Sequence, residues 1–296
     1  MKNNKLYQVI IAIFIIVLMV DHSVYAMEWE DEEGPISFKI EMLPWEIVNN
    51  IIPNKTNFTI IDIETGLSFK VQRRAGSHHA DVQPLTKEDT QIMKKIYNNK
   101  WSWNRRAIIV LINNQMIAAS MHGMPHGAGA LQNGFSGHFC VHFSGSITHR
   151  LKNEDLSHKL MVLKAAGKLD DYIQTVSPYE LIRIFTIAIN QGNQKLLAMT
   201  LSNPSHPNRV NKLVKDITYF GVVDPLRQPP EQLNGLFLVD VSVQAAIYKK
   251  REGKEIKVMH FIIRRESLTD RWFIDQDSLY EDLKRICKVR YSNDKS

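Results

Sequence analysis

His122–His149 reads HGMPHGAGALQNGFSGHFCVHFSGSITH and holds five of the chain's eleven histidines and one of its two cysteines. Its centre, Gly137-His138-Phe139-Cys140-Val141-His142-Phe143, alternates with period two. In a strand, Phe139, Val141 and Phe143 share one face and His138, Cys140 and His142 the other. Aromatic and β-branched residues suit a pleated surface, so a strand is predicted here. One face reads as core. The other sets a thiol between two imidazoles, each about 6–7 Å away at Cβ for an i, i+2 pair. Glycines at 123, 127, 129, 134 and 137 permit tight turns around this strand.

Upstream, the pattern is mostly β. Pro44–Ile52 predicts a short helix with Ile47, Val48, Ile51 and Ile52 as its apolar stripe. Asn57–Ile63 and Leu67–Val71 read as strands joined by Glu64-Thr65-Gly66. Arg73–Asp81 (RRAGSHHAD) reads as a polar loop. Thr86 with Asp89 three residues on opens a helix to Asn98. Arg106–Ile112 and Met116–Met121 form a hairpin about Asn113-Asn114, and the return strand ends at His122.

Downstream, the pattern turns helical. Asp155 or Ser157 caps a helix that Gly167 stops, and Gly167–Val176 reads as a linker. Ser177-Pro178-Tyr179-Glu180 starts a longer helix to Gln191. Val239, Val241, Val243, Ala245 and Ile247 alternate with Asp240, Ser242, Gln244 and Tyr248, a half-buried strand. Glu255–Arg265 and Asp270–Asp275 follow as strands, and Leu279, Leu283 and Ile286 mark a last helix. The expected fold class is therefore α+β. A mostly-β domain over 27–168 precedes an α+β domain of helices and a curved antiparallel sheet over 177–296.

Residues 1–26 read as a secretory signal. Lys2 and Lys5 precede the apolar run Val9–Val20, and Val24-Tyr25-Ala26 supplies the cleavage pattern. The twelve apolar residues are short against the roughly 20 that span a membrane. An uncleaved N-terminus would instead tether the protein to a membrane. Formal charge is +6, or +5 without the signal, which suits an acidic wall or membrane surface. Nothing points to nucleic acid as a partner. Two cysteines make no disulfide framework, although an exported Cys140 could pair with Cys287.

Three chemistries fit the organising stretch. In the first, Cys140 is a nucleophile with His138 as the natural base, and His122, His126 and His142 as further candidates. Backbone amides at Gly137 and Phe139 would form the oxyanion hole. This needs no cofactor. In the second, His138, Cys140 and His142 hold zinc, with His122, His126, His78 or His79 completing the tetrahedron, and Asp81 serves as a further ligand or as the base of a zinc-dependent cell-wall hydrolase. In the third, Cys140 is a buried small hydrophobe and the protein a non-catalytic envelope binding protein.

Gly137-His138-Phe139-Cys140-Val141-His142, with His122-Gly123 upstream, resembles the Ser/Thr-His-Gly-Cys-aliphatic-Arg/Asn motif of the L,D-transpeptidases (YkuD-like). Gly137, Phe139 and His142 depart from that motif, and His126-Gly127 competes as the upstream pair. The resemblance implies a secreted or envelope-bound transferase. Its cysteine would take an acyl group from a peptidoglycan stem peptide and pass it to an amine. The segments WSWNRR, MPHG and GHFCVHF are also similar to a module of exported proteins in Gram-positive, spore-forming bacteria. The element order after Ser177 resembles an NTF2-like domain, which implies a binding or spacing role. His206 and His260 read as structural.

Overall fold

The computed structural model describes residues 39–148, 153–202, 209–223, 233–250 and 253–288, without the side chains of 286–288. Residues 1–26, read above as a signal, lie outside that set, as do Cys287's side chain and His206. Cys140 is a free thiol. No helix among the described residues is long and apolar enough to cross a membrane.

Six strands close on themselves: β2 (Asn57–Asp62), β3 (Ser68–Ala75), β4 (Ala80–Pro84), β5 (Arg105–Ile112), β6 (Gln115–His122) and β7 (Phe139–His142). Around the barrel they run β6-β5-β2-β3-β4-β7, and β7 pairs back to β6. A short β1 (Ile40–Glu41) lies parallel on the start of β6. Inward residues fill the barrel: Phe58, Ile60, Phe69, Val71, Val82, Ile108, Val110, Ile117, Met121, Phe139 and Val141. Helices α1 (Trp45–Ile51) and α2 (Lys87–Ile96) add Trp45, Val48, Met93 and Ile96 to this cluster. Thr86 and Asp89 form the expected capping box of α2. Asn113 and Asn114 carry the β5–β6 hairpin at φ 47° and 58°, the left-handed pair a two-residue turn requires.

The expected loop over Arg73–Asp81 is corrected: β3 runs through Ala75 and β4 starts at Ala80, leaving a tight turn between. Two anchors fix that turn. The Arg73 guanidinium donates to Ile52 O at 2.5 Å and Gly76 O at 2.6 Å. Trp45 Nε1 donates to Ser77 O at 2.9 Å.

After β7, α3 (Leu156–Ala165) lies along β5 and β6, capped by Asp155. Ala107 and Ala118 lie on the outer face of those strands, and their small side chains let the helix approach. The expected linker contains a helix, α4 (Leu169–Thr175). Next come α5 (Pro178–Gln191), α6 (Gln194–Thr200) and α7 (Arg209–Val214). Ser177 caps α5, and Gly192 ends it at φ 62°.

The second sheet is antiparallel, ordered β11-β10-β9-β8, from β8 (Ile217–Val222), β9 (Leu238–Lys249), β10 (Gly253–Arg264) and β11 (Phe273–Ile274). The amphipathic α8 (Gln276–Lys288) closes the described chain. The inward row of β9 is the predicted one, with Val241, Val243, Ala245 and Ile247 buried. These residues share an apolar cluster with α3, α5, Ala107 and Ala118.

Candidate functional site

Period two decides what the barrel turns outward. With Ala80, Val82, Met121, Phe139 and Val141 facing in, the outward positions are Asp81 and Gln83 on β4, Cys140 and His142 on β7, and Ser120 and His122 on β6. Register then makes them neighbours, because Asp81 lies opposite Cys140 and Ser120 opposite His142. Polar residues on the outside of a sheet normally meet water. Here all six are buried.

Three pieces of chain cover them. Helix α3 brings His158, whose Nδ1 lies 2.9 Å from Ser120 Oγ. The cap Asp155 fixes that helix to β5 through Arg105 at 2.8 Å. The β3–β4 turn brings His79, whose Nδ1 lies 3.0 Å from Ile147 O. The loop from Gly123 to His138 brings His126 and His138.

That loop is held along its length. His126 and His138 exchange backbone hydrogen bonds of 3.0 and 2.8 Å. Gln83 donates to Gly137 O at 2.7 Å and accepts from Ala130 N and Leu131 N at 2.9 and 3.2 Å. Asn133 donates to Pro84 O. Two glycines are obligatory. Gly137 sits at φ 109°, and a Cβ there would overlap His126 O. At Gly127, φ 60°, a Cβ would overlap the His138 ring.

The Cys140 thiol donates to Asp81 Oδ1 at 3.6 Å, and its sulfur lies 3.4 Å from His126 Nε2. His126 Nδ1 lies 3.1 Å from Met124 O. A carbonyl can only accept, so Nδ1 carries the proton and Nε2 presents its lone pair to the thiol. The same logic holds His79 on Ile147 O, and His138 on Ala128 O at 3.0 Å. Their Nε2 atoms lie 3.2 and 3.8 Å from Asp81 Oδ1. Three imidazoles thus turn Nε2 toward one thiol and one carboxylate.

His142 is sandwiched, 4.4 Å from the His79 ring and 3.7 Å from the His158 ring, both nearly parallel. Its Nδ1 is buried with no hydrogen-bond partner among the described residues. His122 accepts from Met124 N at 3.3 Å. Trp103, half exposed, packs its ring at a tilt against His122 and His126, at 4.7 and 5.4 Å.

Burial sets the charge state. Desolvation holds His122 at about 3 and drives His142 and His158 well below the ordinary imidazole range. Neighbouring imidazoles and Arg105 add to the effect. His126 is lowered too, again mainly by burial. The Cys140 thiol is pushed up, first by burial and then by Asp81. The resting Cys140 is therefore a neutral thiol beside a neutral His126, not a preformed thiolate.

The sequence reading placed His138 as base. The structure puts His126 on the sulfur instead and aims His138 Nε2 at Asp81. His138 Nδ1 is drawn to Ala128 O, which turns its Nε2 toward Asp81 and not toward the sulfur. Of the expected oxyanion amides, Phe139 lies in β7 opposite Val82, and the carbonyl of Gly137 is taken by Gln83. The neighbouring amide, His138 N–H, is already donated to His126 O. His158, Ser120, Gln83 and Trp103 were not anticipated. Alternation in Ala80-Asp81-Val82-Gln83 was the signal available for Gln83.

Two overlapping groups could hold a metal ion: His79, Cys140 and His142, and His122, His126 and Cys140. Within each, the donor atoms lie within 4.8 Å of one another. A separate cleft of about 690 Å³ is lined by Ser102, Asn104 and Arg105, which flank Trp103, and by Lys164 and Lys195. The chain matches no family model, no curated protein and no solved structure.

Proposed function

We propose that the protein is a cysteine-dependent acyl-transfer enzyme with Cys140 as nucleophile and His126 as general base. One observation carries this reading: Sγ lies 3.4 Å from an Nε2 whose ring is fixed by a backbone carbonyl through Nδ1. Nucleophile, base and orienting group are the three parts an activated cysteine needs.

The raised thiol pKa fits attack with concerted proton transfer. As sulfur bonds to the acyl carbon, its proton passes to His126 Nε2. The imidazolium then protonates the leaving amine as the C–N bond breaks, leaving a thioester. An acceptor amine gives a proton to His126 as it displaces the sulfur, and the imidazolium returns that proton to the departing sulfur, restoring the thiol. Asp81 favours the imidazolium that exists between these steps. The cleft lined by Asn98, Asn104, Asn193 and Gln194 offers amide groups to a peptide backbone. The YkuD-like resemblance supplies the substrate class, peptidoglycan stem peptides, and the N-terminal signal pattern supplies a secreted or envelope location.

Intact-mass spectrometry during incubation with a synthetic tetrapeptide stem tests this. The expected result is a thioester adduct on the wild-type chain and none on Cys140→Ala. Turnover that survives Cys140→Ala would overturn it.

A second reading, a zinc-dependent hydrolase, is favoured by Cys140's membership of both metal-capable groups. It makes Cys140 a ligand, and a chelator would then abolish turnover.

A further inference from the structure

Cys140 is 5% exposed, so a substrate reaches its sulfur only if part of the cover moves. Burial shows which part. Helix α3 and the β3–β4 turn cover the outer row with His158 and His79, both buried. His126 and His138 are partly exposed, and Trp103, which packs against His126, is half exposed. The two imidazoles are fixed: each is held on a backbone carbonyl through Nδ1, and their backbones are paired. The indole is not. Its ring contacts are His122 and His126, and no hydrogen bond holds it among the described residues. A half-exposed ring held by so few contacts changes rotamer readily. The same segment walls the cleft of about 690 Å³ through Ser102, Asn104 and Arg105. Arg105 lies opposite His122 in the β5–β6 ladder, so the cleft ends one strand away from a histidine that the indole packs against. Ser102 O also accepts from Gly123 N at 2.8 Å, at the start of the covering loop. A ligand in the cleft therefore touches the residues on either side of Trp103.

We propose that Trp103 gates Cys140: a peptide acyl donor seated in the cleft draws the indole off His122 and His126 and so gains the sulfur. This rests on the acyl-transfer reading of Cys140 and names what controls access to that site. A ligand shifts a conformational equilibrium only through contacts it makes better in one state, and the exposed face of the indole offers such contacts. With the ring back in place, the thioester is shielded from water. At an open site water attacks the thioester carbonyl, the C–S bond breaks, and the products are a free acid and the thiol. An acceptor that engages the cleft reopens the gate, so the acyl group passes to an amine rather than to water.

The test uses the full chain. Iodoacetamide labelling of Cys140, scored by peptide mass separately from Cys287, should be at least about tenfold faster in Trp103→Ala than in wild type. Trp103→Phe, which keeps a ring against the imidazoles, should stay within about threefold of wild type. With a tetrapeptide stem and an acceptor amine, Trp103→Ala should raise the ratio of hydrolysis to transfer at least about threefold. A third measurement keeps the side chain and stands even if Trp103→Ala folds poorly. The Cys140→Ser chain is labelled with 5-fluorotryptophan, and the Trp103 resonance is assigned by its loss in Trp103→Phe. That resonance should shift as the stem peptide binds. Equal labelling in wild type and Trp103→Ala would overturn the proposal, as would a Trp103 resonance that stays in place while the peptide binds. Failure of the acyl-transfer reading looks different: Trp103→Ala still speeds labelling of Cys140, yet no stem peptide ever acylates it.

Discussion

Strands β7 and β10 have the same alternation, and each carries a histidine in its outward row. His142 on β7 is 3% exposed, stacked between two other imidazoles, and held far from protonation by burial. His260 on β10 has a side chain 52% exposed and lies 3.4 Å from Asp240 and 3.1 Å from Ser242. The neighbouring outward residues Ile256 and Val258 are exposed too. The difference lies in what covers the row. Over β7 stand α3, the β3–β4 turn and the Gly123–His138 loop. Periodicity sets which residues share a face, but cover decides whether that face becomes chemistry.

The largest effect that sharpens this contrast is in acid. His122, His142 and His158 have folded-state pKa values below the roughly 6.5 of an unfolded chain. The unfolded state therefore binds more protons as pH falls. Stability from these groups is complete above about pH 6.5 and is lost below it, by up to about 1.4 kcal/mol per pH unit for each group. Urea unfolding of the metal-free chain from pH 7.5 to 5 should show this slope. His158→Phe should flatten it and His260→Phe should not. Equal slopes in both variants would remove the distinction between covered and open rows.

A smaller effect comes from loosening the cover. Gln83→Ala removes one donor and two acceptor contacts to the loop, an expected loss of about 1–3 kcal/mol. Thiol labelling of metal-free protein should become faster, because water and reagent reach Cys140. Unchanged labelling would mean that the loop does not control access.

The smallest effect is the control. His260→Ala should change stability by no more than about 0.5 kcal/mol, as for an exposed site whose ion pair is screened. A larger loss would show that the open row also carries structure.

Much of the fold was legible because single elements announce themselves. The alternation around Cys140, the Asn113-Asn114 hairpin and the caps at Thr86 and Ser177 are local signals, and the structure has each. Strand β4 was hidden because Arg73–Asp81 is polar and only four residues alternate. Helix α4 was hidden behind Gly167 and the Val176–Pro178 break. Strand β8 and helices α6 and α7 were not read at all. The gathering of His79, Asp81 and Cys140 depends on β4 pairing with β7, a register no spacing along the chain reveals. The choice between His126 and His138 depends on which ring a backbone carbonyl turns toward sulfur. Met124 and Ala128 make that choice, and a carbonyl has no sequence signature.

Acylation of Cys140 by a carbapenem-type β-lactam, followed as a second-order rate constant, tests the pairing of Cys140 with His126 most directly. His126→Ala should slow it by about 10²–10⁴-fold, the usual contribution of a general base. His138→Ala, which removes a ring aimed at Asp81, should slow it less than about tenfold. The reverse ranking, or equal rates in His126→Ala and wild type, would contradict the assignment of His126 as the base.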